Sequence, residues 1–283
     1  MAQKRRVHRK RRHARRRNIT FPLALVLIFI VFVGVVSIPI RNVFRVLRDI
    51  RPAGESTVAH HDNNSFQGRL ENFAKENHLE LQEWPEDLLE AAQNNPEMED
   101  FVLHYPLKRD SKPEIDLSEY KNADSVPLLF QWDERWGYTN YAGNIMGLSG
   151  CGPTCLSMVS MFLLNDSSYT PQYIAKFSEE NGYGVPGSGS SWTLISEGGR
   201  KLGLDVVEIP LDKQRIVRNL EVGNPIICVM GPGDFTTTGH FIVFVGYEDG
   251  KIKVNDPNSK TRSETLWDYE QIKNQIKNLW VCR

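Results

Sequence analysis

The chain has 283 residues, 40% of them apolar and 24% charged, with six Trp; that is enough to bury a core in one or two domains and excludes a wholly disordered chain. The net charge of −1 hides a split, because residues 1–18 hold ten Lys/Arg and no acid and leave −11 on the other 265; a basic tail on an acidic body is not the pattern of a nucleic-acid-binding domain, so no nucleic-acid partner is expected. Four Cys without a C-x-x-C pair exclude a disulfide scaffold and a structural zinc site, and nothing in the sequence calls for a metal or other cofactor.

After the basic tail (1–18), Ile19 to Ile40 forms an uncharged run of 22 residues. As a helix it spans roughly 33 Å, about the hydrocarbon thickness of a bilayer. A cleaved signal peptide has a shorter apolar core and a small-x-small cleavage site, which Ser37-Ile38-Pro39-Ile40 does not offer. The run therefore reads as an uncleaved anchor contacting membrane lipid. The ten preceding cations place the N-terminus in the cytoplasm and the C-terminal part outside, although Arg41, Arg45, Arg48 and Arg51 follow the span closely. Val43, Phe44, Leu47 and Ile50 share a rough helical stripe, which suits either a helix lying at the headgroups or a continuation of the anchor.

Residues 41–83 read as a juxtamembrane segment and stalk, with room for a modest helix around Leu70–His78. Residues 84–124 read as a helical extension. Pro85 and Pro96 stand where first helical residues belong, and acids fill the turns that follow. Leu88, Leu89 and Ala92 form one apolar face, and Met98, Phe101 and Val102 another. Two short helices packed on the next domain are expected, and a propeptide role is the alternative. From 125 to 283 helix-like stretches come first (Thr154–Leu164, Pro171–Asn181, Ser191–Leu202, Lys213–Glu221). Strands follow at Pro225–Met230 and in a hairpin, His240–Tyr247 with Lys251–Asp256, joined at Asp249-Gly250. Helices followed by an antiparallel sheet are the α+β pattern.

The chemistry concentrates at Gly147-Leu-Ser-Gly-Cys151-Gly-Pro-Thr-Cys155. A Gly-rich turn delivers Cys151 to the start of an apolar helix, where unpaired backbone N–H groups and the positive dipole end favour thiolate and can hold an oxyanion. Cys155 and Cys228 read as buried small hydrophobes, and a strained Cys151–Cys155 disulfide is a third arrangement. A thiolate nucleophile needs a base, and of seven His only His240 opens a core strand. The orienting group is Asp256 or Asn255, and the hairpin register decides between them. An unbroken two-residue loop pairs residues summing to 499 and puts Asp256 on the face opposite His240. A three-residue loop or a bulge changes the sum to 498, sets Asp256 against Ile242 and brings it to the face of His240. An irregular hairpin is therefore expected. Gln131, at the end of the apolar run Val126–Phe130, is a candidate oxyanion donor. Trp136, Trp267 and Trp280 are expected in the core; Gly187–Trp192 and Gly231–Gly239 either line a groove or merely connect elements.

In this order, Gln131-Trp-Asp-Glu-Arg-Trp136, Gly150-Cys-Gly-Pro-Thr154, Gly239-His-Phe-Ile-Val243 and Val254-Asn-Asp-Pro257 resemble the papain-like cysteine peptidases. More narrowly they are similar to the family-C-thirty-nine-like group related to bacteriocin-processing, double-glycine leader peptidases. The resemblance covers about 125–283. It implies a papain-like α+β fold, with the Cys on a helix facing His on a sheet. It also implies Cys151 as nucleophile, His240 as general base and acid, Asp256 as orienter, and Gln131 with the Cys151 N–H as oxyanion donors. The transporter-fused members carry a G-x-x-x-x-G-K-[ST] loop that this sequence lacks. The expected activity is hydrolysis of peptide bonds in a peptide or protein substrate by a single-pass, outward-facing thiol peptidase. The rival expectations are a cell-wall endopeptidase or amidase of the NlpC type and a non-catalytic peptide-binding module.

Overall fold

The computed structural model describes residues 64–283. The predicted tail (1–18), anchor (19–40) and residues 41–63 lie outside them. Among the described residues no helix is long and apolar enough to cross a membrane.

The chain enters through α1 (Phe66–Glu76), whose N-cap Ser65 accepts a hydrogen bond from Gly68 N. A 3₁₀ turn at Leu81–Glu83 leads to α2 (Glu86–Asn94), and another at Pro96–Met98 leads to α3 (Glu99–Lys108). Leu70 and Ala74 of α1 are buried with Trp84, Leu88, Ala92, Met98, Phe101 and Val102. This corrects the stalk reading of 41–83: from Phe66 onward the segment is a packed helix, because Leu70 and Ala74 recur at helical spacing and find the apolar faces of α2 and α3. The helical extension thus begins about twenty residues earlier than the 84 boundary.

The extension packs on the following domain. The Phe101 ring stacks on Tyr138 at 4.4 Å, and the Tyr138 hydroxyl donates to the Phe101 carbonyl. A Cβ at Gly147 would lie 2.5 Å from the Phe101 ring, so this glycine permits the close approach. Glu134 accepts from Lys108 and pairs with His104. Those two bonds lie on α3, which runs on through Pro106 instead of stopping before it.

The domain core centres on α4 (Cys151–Leu164). Every residue from Gly152 to Met161 is buried, as expected of a helix apolar on all sides. α5 (Pro171–Glu180) packs beside it, started by Thr170, whose hydroxyl accepts from Tyr173 N, and by Pro171 in the first turn. α6 (Lys213–Glu221) matches its predicted range. The predicted helix 191–202 forms instead as a π-helical turn, Leu194–Gly198, and one short α-turn.

Six antiparallel strands form the sheet: β1 (Val206–Glu208), β2 (Ile226–Met230), β3 (His240–Glu248), β4 (Lys251–Asn255), β5 (Leu266–Trp267) and β6 (Ile276–Cys282), in the order β1-β6-β2-β3-β4-β5. One face (Ile227, Val229, Phe241, Val243, Trp280) packs on α4. The other (Cys228, Ile242, Phe244, Val254, Leu279) packs on Ile216 and Leu220 of α6 with Trp267 and Tyr269. The fold class is α+β, as the element order predicts. Trp136 and Trp280 are 1% exposed and Trp267 is 8%, all in the core as expected.

The β3–β4 hairpin turns at Asp249-Gly250, both at positive φ (50° and 79°), the conformation that a tight two-residue hairpin turn needs. Beside the turn the pairs sum to 499 (Glu248–Lys251, Tyr247–Ile252, Gly246–Lys253); beyond a bulge at Val245 they sum to 498 (Phe244–Val254, Val243–Asn255). The hairpin is irregular, and the shift carries Asp256 to the His240 face.

Candidate active site

Cys151 is the first residue of α4, with Gly150 as N-cap. The first amides of a helix have no intrahelical acceptor, so the Gly-rich turn places the thiol among free N–H groups. The His240 ring and the backbone amides of Gly152, on α4, and Phe241, on β3, all favour the charged form of its Sγ. Groups of the helix and of the sheet therefore act on the sulfur together.

His240 opens β3 and is 8% exposed. Its Nε2 lies 2.7 Å from Asp256 Oδ1, which leaves Nδ1 as the ring nitrogen for the Cys151 side. Asp256 is fully buried. Asn258 N also donates to Oδ1, and Arg262 Nε donates to Oδ2. Asn255, the alternative orienter, is engaged elsewhere: its Nδ2 donates to the carbonyls of Val126 and Pro127, at 3.0 Å each. The bulge explains the division, because adjacent residues of a strand point to opposite faces.

The charges reinforce one another. Burial pushes the Cys151 thiol up, but the hydrogen bond and charge of His240 and the two amides outweigh it and hold the thiol below its ordinary value. Burial pushes His240 down, but the Asp256 carboxylate and the Cys151 sulfur outweigh it and raise it. Burial raises Asp256, but His240 and Arg262 bring it below the usual carboxylate range. All three shifts favour a thiolate, an imidazolium and a carboxylate in series.

All four cysteines are free thiols. Burial raises Cys155 and Cys228 well above the ordinary value and pushes Cys282 up to about 12. Iodoacetamide at neutral pH is therefore expected to modify Cys151 of the folded protein and leave the other three intact, because the thiolate is the reacting form. Peptide mass mapping checks this; equally slow labelling of all four would contradict it.

Gln131 lines the same cleft. Its N donates to Pro257 O, and its Nε2 donates to Gly147 O at 2.8 Å, which fixes the amide orientation. Nε2 retains a second hydrogen, and Oε1 is buried without a hydrogen-bond partner. The cleft has a volume of about 460 Å³. One wall is the loop Gly233–Gly239, an expected candidate; the other comes from Ala91, Asn94, Asn95 and Met98 of the extension. Trp192 is not among the cleft residues: it is 47% exposed and sets its ring edge-on to Trp280. Among the described residues no group of three or more His, Cys, Asp or Glu is placed to hold a metal ion.

Sequence reasoning missed Arg262, Asn258 and the extension's share of the cleft. Arg262 stands six residues beyond Asp256 in a segment with no apolar pattern, and nothing in its spacing marks it.

A cysteine at a helix start, set against a histidine on an antiparallel sheet with a carboxylate behind it, is the layout of the papain-like peptidases. The chain belongs to the Peptidase_C39 like family, whose model matches residues 123–282. Among solved structures it is similar to the peptidase domain of Streptococcus ComA, a bi-functional ABC transporter involved in a quorum sensing pathway. That match has 19% identity, covers 55% of this chain and 96% of that one, and has a TM-score of 0.40. It is also similar to a putative C39-like peptidase from Bacillus anthracis, with 14% identity, 56% and 94% coverage and a TM-score of 0.36. No curated protein matches the chain.

Proposed function

We propose that this chain is a membrane-anchored cysteine peptidase that hydrolyses peptide bonds through Cys151, His240 and Asp256. The observation that carries the reading is that Cys151 and His240 line one cleft, with His240 Nε2 2.7 Å from Asp256 Oδ1 and the imidazole favouring the Cys151 thiolate. A thiolate beside an imidazolium has both the nucleophile and the acid that amide cleavage requires.

In the first half-reaction Cys151 Sγ attacks the scissile carbonyl carbon, and the C–O electron pair moves to oxygen. The Cys151 N–H, at an uncapped helix start, and the second hydrogen of Gln131 Nε2 are the donors for that oxyanion. The oxyanion collapses, the C–N bond breaks, and His240 gives its proton to the leaving amine. A thioester remains on Cys151. In the second half-reaction His240 takes a proton from water as the hydroxyl oxygen attacks the thioester carbon. The C–S bond breaks, the acid product leaves, and the thiolate–imidazolium pair returns. Asp256 keeps the ring oriented and its charge balanced throughout.

The location is part of the proposal. The apolar run 19–40 with ten cations before it supports an anchor with the catalytic part on the outer side. The partners are then a peptide or protein substrate and the lipid around the anchor.

Incubating the protein with an unbiased peptide library tests the reading. New peptide termini are expected with the wild type and none with Cys151→Ala, and a peptidyl electrophile should add to Cys151. Identical peptide profiles for the two proteins would overturn it. Gln131→Ala is expected to lower kcat about 10²-fold with little change in KM, the usual cost of losing one oxyanion donor. Steady-state kinetics on a library-derived peptide checks it; an unchanged kcat would remove Gln131 from the mechanism.

A further inference from the structure

We propose that Glu97, on the helical extension, is a positioning residue for the His240–Asp256 pair, so that the extension is a built-in part of the active site and not a removable cap. The inference rests on the peptidase reading above and deepens it.

The groups that hold Asp256 come largely from one short segment. Asn258 N and Arg262 Nε donate to its two carboxylate oxygens, and Asp256 N donates to Ser263 Oγ. Arg262 and Ser263 lie on α7 (Lys260–Glu264), a helix of five residues. One turn of helix is a poor structure by itself, since nucleation fixes several residues for few hydrogen bonds. Its own N-cap, Ser259, accepts from Arg262 N and leaves the earlier amides to find partners elsewhere.

Glu97 supplies them. Its Oε1 accepts from Ser259 Oγ at 3.0 Å and Thr261 N at 3.1 Å, and its Oε2 accepts from Lys260 N. A carboxylate against the first amides of a helix has the favourable sign for the helix dipole. Burial raises the Glu97 carboxyl, but these bonds from Thr261, Lys260 and Ser259 hold it below the usual range. Two residues earlier, Asn95 Nδ2 donates to Asn258 O at 2.7 Å. The extension therefore grips the start of the segment whose Asn258, Arg262 and Ser263 hold Asp256. Those bonds go to residues 258–261, while Ala91, Asn94 and Met98 stand along the cleft beside Cys151 and His240. This is how a wall is built.

The full chain carrying Glu97→Ala, Glu97→Gln or, as an exposed control on α2, Glu90→Gln tests the inference. Three readouts are taken: kcat and KM on a cleaved peptide, the pH midpoint of Cys151 alkylation, and thermal melting. Glu97→Ala is expected to lower kcat about tenfold with KM nearly constant, because a small displacement of a catalytic group is costly. Its alkylation midpoint should move towards the ordinary thiol value of about 8.5. Glu97→Gln, which keeps one accepting oxygen, should fall between Ala and wild type, and Glu90→Gln should match wild type. A lower melting temperature with wild-type kcat and midpoint would make Glu97 a purely structural residue and overturn the inference. If Glu97→Ala does not fold, Glu97→Gln decides by the same criteria. The alkylation midpoint needs no substrate. Should the wild type cleave no peptide, the peptidase reading fails, and an unmoved midpoint in Glu97→Ala would separately sink the positioning role.

Discussion

Replacing His240 with Ala is expected to lower kcat on a peptide substrate by about 10²–10⁴-fold, the usual worth of a positioned general acid and base. His240 has two tasks. Its charge and hydrogen bond lower the Cys151 thiol, and in the proposed mechanism its proton goes to the leaving amine. Alanine removes both and leaves a deep-set thiol that burial alone would push up. Cys151→Ala removes the atom that forms the thioester and should reduce hydrolysis at least as far. Groups that act as a unit are not additive, so the double variant should be no slower than Cys151→Ala. Single-turnover and steady-state rates on the three variants check this. A double variant slower by the product of the single losses would mean that the two residues act independently.

The second large effect concerns stability. Asp256→Ala is expected to destabilise the protein by about 3 kcal/mol, the low end of the cost of removing one partner from a buried ion pair. Asp256 is fully buried against His240, itself 8% exposed, and Arg262, which keeps some solvent contact. Alanine would strand both cations and leave Asn258 N without its acceptor. The cost depends on pH in a definite sense. The folded-state Asp256 value is depressed, so its contribution is present above the unfolded value of about 3.9 and is lost as pH falls through the lower folded value. The folded-state His240 value is raised, so its contribution is full below about 6.5 and is lost as pH rises through the higher folded value. The gap between wild type and Asp256→Ala should therefore be widest between about pH 4 and 6.5 and narrow on either side. Urea unfolding across that range checks it; a gap independent of pH would mean that lost packing, not charge, sets the cost.

Much of this site is legible in the sequence because its chemistry follows local rules. A Gly-rich turn before an apolar helix marks Cys151, and the only His that opens a core strand is His240. Strand alternation limits Asp256 to two placements, of which only an irregular hairpin, with a three-residue loop or a bulge, brings it to His240, and a bulge stands at Val245. Asn255 stays an alternative until its bonds to Val126 and Pro127 are seen, since those partners lie more than a hundred residues away. The same reason hides the role of the extension. Glu97 reads as one more acid in a helix's first turn, and its partners at 259–261 come to it only through tertiary packing. The strand β6 and the short strands β1 and β5 also escape notice: Val206–Glu208 and Leu266–Trp267 are too short for any period, and β6 breaks register between Ile276 and Asn278. Leu70 and Ala74 are legible as a helical face, but without a partner in view that face reads as a stalk.

The idea beneath the mechanism is that Cys151 is ionised at neutral pH and that His240 keeps it so. The rate of Cys151 alkylation against pH, in the wild type and in His240→Gln, measures this directly. The account requires a wild-type midpoint well below the ordinary thiol value of about 8.5 and a clear rise in the variant. A wild-type midpoint near 8.5 that stays in place when His240 is replaced would contradict it.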